Sequence, residues 1–239
     1  MSAVSAIAKR EIRSFFNSPM AYIVLGVFLL LSGYFYFNTL FLVGQASLRE
    51  FFNLAPLLFV VFAPALTMRL LAEERKSGTI ELLLTMPIKD SHVVLGKFVA
   101  AVVIVMIGLL LTLPYAVSVA SLTSAKSSFD WGPAIGGYLG LLLMAASFIS
   151  LGLWASSLSR NQIVGFIVGL LLCFAFYIID RTAIFLPASL GTVFEFLSVD
   201  FHFRNIARGV LDTRDLLFYF SLTGAGLVLT TRTLSTSRQ

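Results

Sequence analysis

Paired carboxylates and histidines are the groups from which a water-activating or metal-binding centre is built. This chain of 239 residues carries Glu73-Glu74, His92 and His202. An intramembrane hydrolase uses such a set, with the acid moving a proton while histidines hold the centre. That chemistry requires the groups within hydrogen-bond reach of one another. Here Glu73 and Glu74 lie in a polar segment between two apolar runs, and His202 lies in a segment expected on the other side of a membrane. His92, beside Ser91, is expected to end a helix, and His202, among phenylalanines, to sit at an interface. The sequence contains no P-loop, HExxH, GxSxG or cysteine cluster. Its one cysteine, Cys173, lies inside an apolar run, where it reads as a small buried hydrophobe. No catalytic or metal-ligating residue is therefore assigned.

The elements that position these residues are set by composition. Hydrophobic residues make up 58% of the chain, charged residues only 12%, and mean hydropathy is +0.94. A soluble domain carries about 25% charged residues, and a single core of this size cannot hide so much apolar surface. The expected fold is an all-α membrane protein forming one domain over 1–239. A spanning helix needs about 20 apolar residues. Six stretches qualify: 20–41, 51–70, 97–120, 133–153, 162–179 and, shorter, 216–231. Pro19 suits the first turn of the first span, while Pro56, Pro64 and Pro114 are expected to kink the spans that contain them. The first apolar run is long and is followed by no small-residue cleavage site, so it is expected to stay as a span.

Scattered basic residues set orientation rather than mark a nucleic-acid surface, despite a formal charge of +5. With the N-terminus inside, Lys9, Arg10, Arg13, Arg69, Arg75, Lys76, Lys89, Lys97, Arg160, Arg232 and Arg238 are cytoplasmic. Arg49, Lys126, Arg181, Arg204, Arg208 and Arg214 are outside. The positive-inside rule then places both termini in the cytoplasm. The interiors of the six spans hold no Asp, Glu, Lys or Arg, which counts against an ion-coupled carrier. The chain has no energy source of its own.

Three segments outside the spans carry information. Over 4–17, Val4, Ile7, Ala8, Ile12, Phe15 and Phe16 share one helical face, and Arg10, Arg13 and Asn17 the other. This predicts an interfacial helix lying on the inner leaflet. Glu11 falls near its apolar face, where it either reaches the headgroups, the simpler expectation, or pairs with a basic residue or partner subunit. The segment 71–91 opens with Glu73-Glu74-Arg75-Lys76, breaks at Ser77-Gly78 and resumes at Thr79, a good N-cap. Ile80, Leu83 and Leu84 share a face, and Pro87 stops the short helix, which is too short to stand alone. The outer segment 180–215 contains two apolar runs too short to cross, expected as interfacial or re-entrant helices.

The run Glu73-Glu74-Arg75-Lys76-Ser77-Gly78-Thr79-Ile80-Glu81-Leu82-Leu83-Leu84-Thr85-Met86-Pro87-Ile88 resembles the cytoplasmic loop of ABC-2 type transporter permeases. Lys9-Arg10-Glu11-Ile12-Arg13-Ser14-Phe15-Phe16 with Pro19 resembles that family's N-terminal helix. Arg208-Gly209-Val210-Leu211-Asp212 with Arg214-Asp215 resembles its segment before the last span. The similarity is greatest to the gliding-motility, GldF-like permease subgroup.

The resemblance implies the membrane subunit of an ABC transporter in a bacterial inner membrane, most often an exporter. It implies no cofactor in this chain and no enzyme activity of its own, with ATP and Mg bound by a separate ABC ATPase subunit in two copies. It also implies a second permease chain, identical or related. Glu73, Glu74, Arg75, Gly78, Thr79, Glu81, Leu82 and Pro87 would form the element coupled to the ATPase. Arg10, Glu11, Arg13 and Phe15 would belong to the interfacial helix. Pro187, Phe203, Arg208 and Gly209 would belong to an outer gate. Membrane lipids, and a membrane protein with a periplasmic domain, are further expected partners. An adaptor that passes ATPase motion to an envelope or gliding machine, moving no substrate, is the alternative.

Overall fold

The computed structural model describes residues 3–43, 48–79, 88–122, 130–182 and 187–236, and within them the fold is helical with no strand. Ten helices follow in order: α1 (Ala3–Asn17), α2 (Pro19–Val43), α3 (Arg49–Ser77), α4 (Asp90–Leu111), α5 (Leu113–Leu122), α6 (Trp131–Leu158), α7 (Gln162–Thr182), α8 (Ala188–Leu197), α9 (Val199–Ala207) and α10 (Thr213–Thr236). Five stretches are long and apolar enough to cross a membrane: α2, α3, α4 with α5, α6 and α7. The 24-residue α10 is not among them. Its ends carry Arg214, Asp215, Thr230, Thr231 and Arg232, which dilute the apolar run expected at 216–231.

The central helix is α6, which packs against α3, α4, α7, α9 and α10. Small residues make this possible. A Cβ on Gly152 would collide with Thr67 of α3, and one on Gly136 with the Ile206 carbonyl of α9. Gly226 of α10 meets Ser150 of α6 in the same way. Small faces let backbones approach where lipid supplies no hydrophobic drive between helices.

Several boundaries move from their expected places. The helix α3 passes through Pro56 and Pro64 without interruption and continues to Ser77, so residues 71–77 extend a span rather than open a loop. It stops at Gly78, whose φ of 71° is the left-handed conformation glycine adopts freely. The expected span 97–120 starts earlier, at Asp90, and divides at Thr112, two residues before Pro114. Proline lacks the amide hydrogen that would continue the ladder there.

The face predicted for α1 is apolar as expected, and part of it packs on the protein. It packs mainly on α4, with Ile7 pressed onto Gly96, and buries Ala8, Glu11 and Phe15. Of that face, Ala8 and Phe15 are covered by protein, while Val4, Ile7, Ile12 and Phe16 are only partly buried. Lys9, Arg10, Arg13, Ser14 and Asn17 remain exposed.

Candidate functional site

Two polar clusters are held at opposite ends of α6, and the first joins α1, α3 and α4. Because α4 begins at Asp90, Lys97 sits two turns inside it, and it is only 1% exposed. A buried ammonium requires compensation. Lys97 Nζ donates to Glu74 Oε1 of α3 at 2.7 Å and to Glu11 Oε1 of α1 at 3.1 Å. Arg10 Nη2 donates to the same two oxygens at 3.4 and 3.2 Å. Two cations balance two carboxylates, and three helices meet on one charge-neutral quartet. Glu11 therefore pairs with a basic residue instead of reaching headgroups. The sequence marked Glu11 as an acid on the apolar face of its helix but did not name its partner.

One helical turn before Glu74, α3 is fixed to α6. Ser156 Oγ donates to the Met68 carbonyl at 2.9 Å and accepts from the amides of Leu71 and Ala72 at 3.2 and 3.1 Å. Beyond Glu74, Glu73 is exposed and Arg75 half-buried. The Ser77 hydroxyl donates to the Glu73 carbonyl at 2.9 Å, and Thr79 Oγ1 lies 2.8 Å from Ser77 Oγ. The exposed Gly78 and Thr79 lead into a segment containing Glu81, Leu82 and Pro87, which lie outside the described residues. Phe15 is fully buried under the Arg69 guanidinium, whose carbon lies 4.6 Å from the ring centroid.

The second cluster joins α7, α8, α9 and α10. His202 is 1% exposed. Its Nε2 lies 2.9 Å from the Phe196 carbonyl, and its Nδ1 lies 2.6 Å from Asp215 Oδ1. A carbonyl can only accept, so Nε2 is the donor to Phe196. The ring stacks on Phe218 at 4.1 Å. The interfacial role expected for His202 is thus replaced by a packed one. Nearby, Tyr219 donates to the Val199 carbonyl at 2.8 Å. Arg204 pairs with Asp180 and, at 3.5 Å, with Asp200. Burial pushes the Asp200 carboxyl up from its ordinary value, and Arg204 pulls it partly back.

The expected gate residues divide between core and surface. Phe203 is buried against Gly140 of α6. Pro187 precedes α8 as its N-cap. Arg208 is the exposed C-cap of α9, and Gly209, with φ of 84°, lies against Gly132 and Pro133. From Gly140, which touches Phe203, to Ser156, which touches α3, is 16 residues, about 24 Å along a helix. Glu73-Glu74 and His202 therefore belong to different ends and share no chemistry. The sequence did not single out Lys97, Arg69, Asp180, Asp200, Arg204 or Tyr219 for any site role. Each becomes legible only once distant helices meet.

Residues 4–237 match the family described as ABC-2 family transporter protein. No curated protein matches the chain.

Proposed function

The chain belongs to the ABC-2 family of transporter proteins, and from that premise we propose that it is the permease subunit of an ABC transporter. It works as an exporter in a bacterial inner membrane, with α10 completing six crossings and both termini in the cytoplasm. A separate ABC ATPase, in two copies with ATP and Mg, supplies the work, and a second permease chain, identical or of the GldF-like kind, completes the membrane part. The observation that carries this reading is the Lys97 junction. The segment after Gly78 connects α3 to α4, and Lys97 ties the Glu74 end of α3 to α4 and α1. A push on that segment by an ATPase would move three helices as one body, while Ser156 passes the motion to α6.

Glu73, Arg75, Gly78, Thr79, Glu81, Leu82 and Pro87 form the contact with the ATPase, and α8 with α9, through Pro187, Phe203, Arg208 and Gly209, forms the outer gate. Co-purification with the ATPase, followed by transport and ATP turnover in vesicles, is the test. Glu81→Arg and Gly78→Trp should leave ATP turnover present and abolish its coupling to transport. Unchanged transport in both variants overturns the coupling assignment.

A second reading rests on the separation of the polar clusters. Between them, the described part of α6 presents hydroxyls such as Ser147 and Ser150 rather than charge. An adaptor that transmits ATPase motion to a periplasmic partner needs no polar path. Substrate flux in sealed vesicles, measured with and without ATP, separates the two.

A further inference from the structure

The α1–α2 corner carries more positive charge than the protein neutralises. Arg10 is spent on Glu11 and Glu74, but Lys9, Arg13 and Arg69 have no acidic partner among the described residues. Arg69 is the most telling of the three, because it is half-buried. Its Nη1 donates to Ser18 Oγ at 3.0 Å, and its plane covers Phe15. Ser18, the residue between α1 and α2, lines a shallow depression together with Lys9, Arg10, Arg13, Ser14 and Asn17. Arg69 reaches that depression only through Ser18, and a depression lined by Lys9, Arg10, Arg13 and hydroxyls calls for an anion.

We propose that this groove binds the phosphate of an anionic phospholipid, held by Arg13 and Lys9, with Arg69 fixing Ser18 at its edge and adding positive charge behind it, and with the acyl chains along α2. Depth favours a lipid over an acidic stretch of a soluble partner. Arg69 lies eight residues before Ser77, so it is about 12 Å from the end of α3 that a soluble protein could reach. The groove ends where α2 begins, and the first large apolar side chains exposed on α2 are Tyr22 and Ile23, at 61% and 60%. They give the acyl chains an apolar track, with a tyrosine at the headgroup level. Net charge selects the lipid class. Three uncompensated cations favour a headgroup of net negative charge and repel the amine of a zwitterionic one. The proposal does not depend on the transporter reading, because it needs no ATPase.

The test is lipid retention by the purified full-length chain from an equal mixture of phosphatidylglycerol and phosphatidylcholine, read by native mass spectrometry. Wild type should retain phosphatidylglycerol selectively, and less of it as salt is raised. Lys9→Gln and Arg13→Gln are exposed substitutions that should fold normally, and each should lower selectivity about fivefold. Arg69→Gln should do the same while Arg69→Lys keeps most of it, and Arg160→Gln, at an exposed site between α6 and α7, should change nothing. Unchanged selectivity in the groove variants, or an equal loss in Arg160→Gln, overturns the proposal. So does a result in which the groove variants keep the lipid but lose the ATPase, since the face would then belong to a protein.

Discussion

At the scale of single residues, the structure turns on charges that were ambiguous in isolation. Lys97 is held by two carboxylates that are themselves nearly buried. Replacing it with methionine would leave Glu11 and Glu74 facing each other with only the exposed Arg10 to compensate. Lys97→Met should cost about 3–5 kcal/mol, the usual penalty for removing one partner of a buried ion pair. Adding Glu11→Gln should return part of that loss. Chemical denaturation in detergent, run as a double-mutant cycle, measures both; additive losses would mean the two residues are not coupled. His202→Leu makes the matching case in the other cluster. It strips Asp215 of its ring partner while keeping an apolar side chain against Phe218. A fall in apparent melting temperature larger than that of Asp215→Asn is expected, because the amide can still bond the ring. Equal falls would mean that His202 contributes packing alone.

Between elements, contact is decided by what glycine leaves out. The Ile206 carbonyl of α9 occupies the space a side chain on Gly136 would need, and a backbone carbonyl cannot rotate aside. Gly136→Val should therefore lift α9 off α6 and expose the bonds after Arg204 and Arg208. Trypsin should cut there faster than in wild type. Gly224→Ala, where a methyl group meets nothing within 4 Å, is the matched control and should leave the cleavage rate alone. Periodicity and length made five apolar spans and the apolar face of α1 readable in advance, because those follow from local spacing. Pro19 and Gly78 marked real helix ends through their own backbone limits. What covers that face of α1 was not readable, since lipid and α4 make the same demand on Ile7 and Phe15. The pairing of Glu11 with Lys97 spans 86 positions and leaves no local trace. The His202–Asp215 contact was hidden for a different reason. His202 stands among phenylalanines and Asp215 at the start of an apolar run, so neither points to the other, and only the fold of α8 and α9 over α10 brings them together.

For the whole molecule, the direction of the chain through the membrane depends on α10. At 24 residues, about 36 Å, it is long enough to cross. Its inner surface is specified by contacts along its whole length. Tyr219 bonds Val199 near one end, Ser147 Oγ donates to the Tyr219 carbonyl at 3.2 Å, and Gly226 meets Ser150 further along. Its exposed residues include Leu217, Phe220, Val228 and Leu229, an apolar face suited to lipid. Since α10 follows α6 closely from Ser147 to Ser150, and α6 crosses, α10 should cross beside it. The expected result is that Val210 and Ser235 lie on opposite sides, with Ser235 on the side of Arg160. Single cysteines at Val210, Ser235 and Arg160 can be probed with a membrane-impermeant thiol reagent in intact cells and again after lysis. The native Cys173 is fully buried and should give little background. Labelling of Val210→Cys in intact cells, with Arg160→Cys and Ser235→Cys reacting only after lysis, is the six-crossing outcome with cytoplasmic termini. If Val210→Cys and Ser235→Cys react under the same condition, α10 does not cross. The chain would then have five crossings, and its two ends would lie on opposite sides.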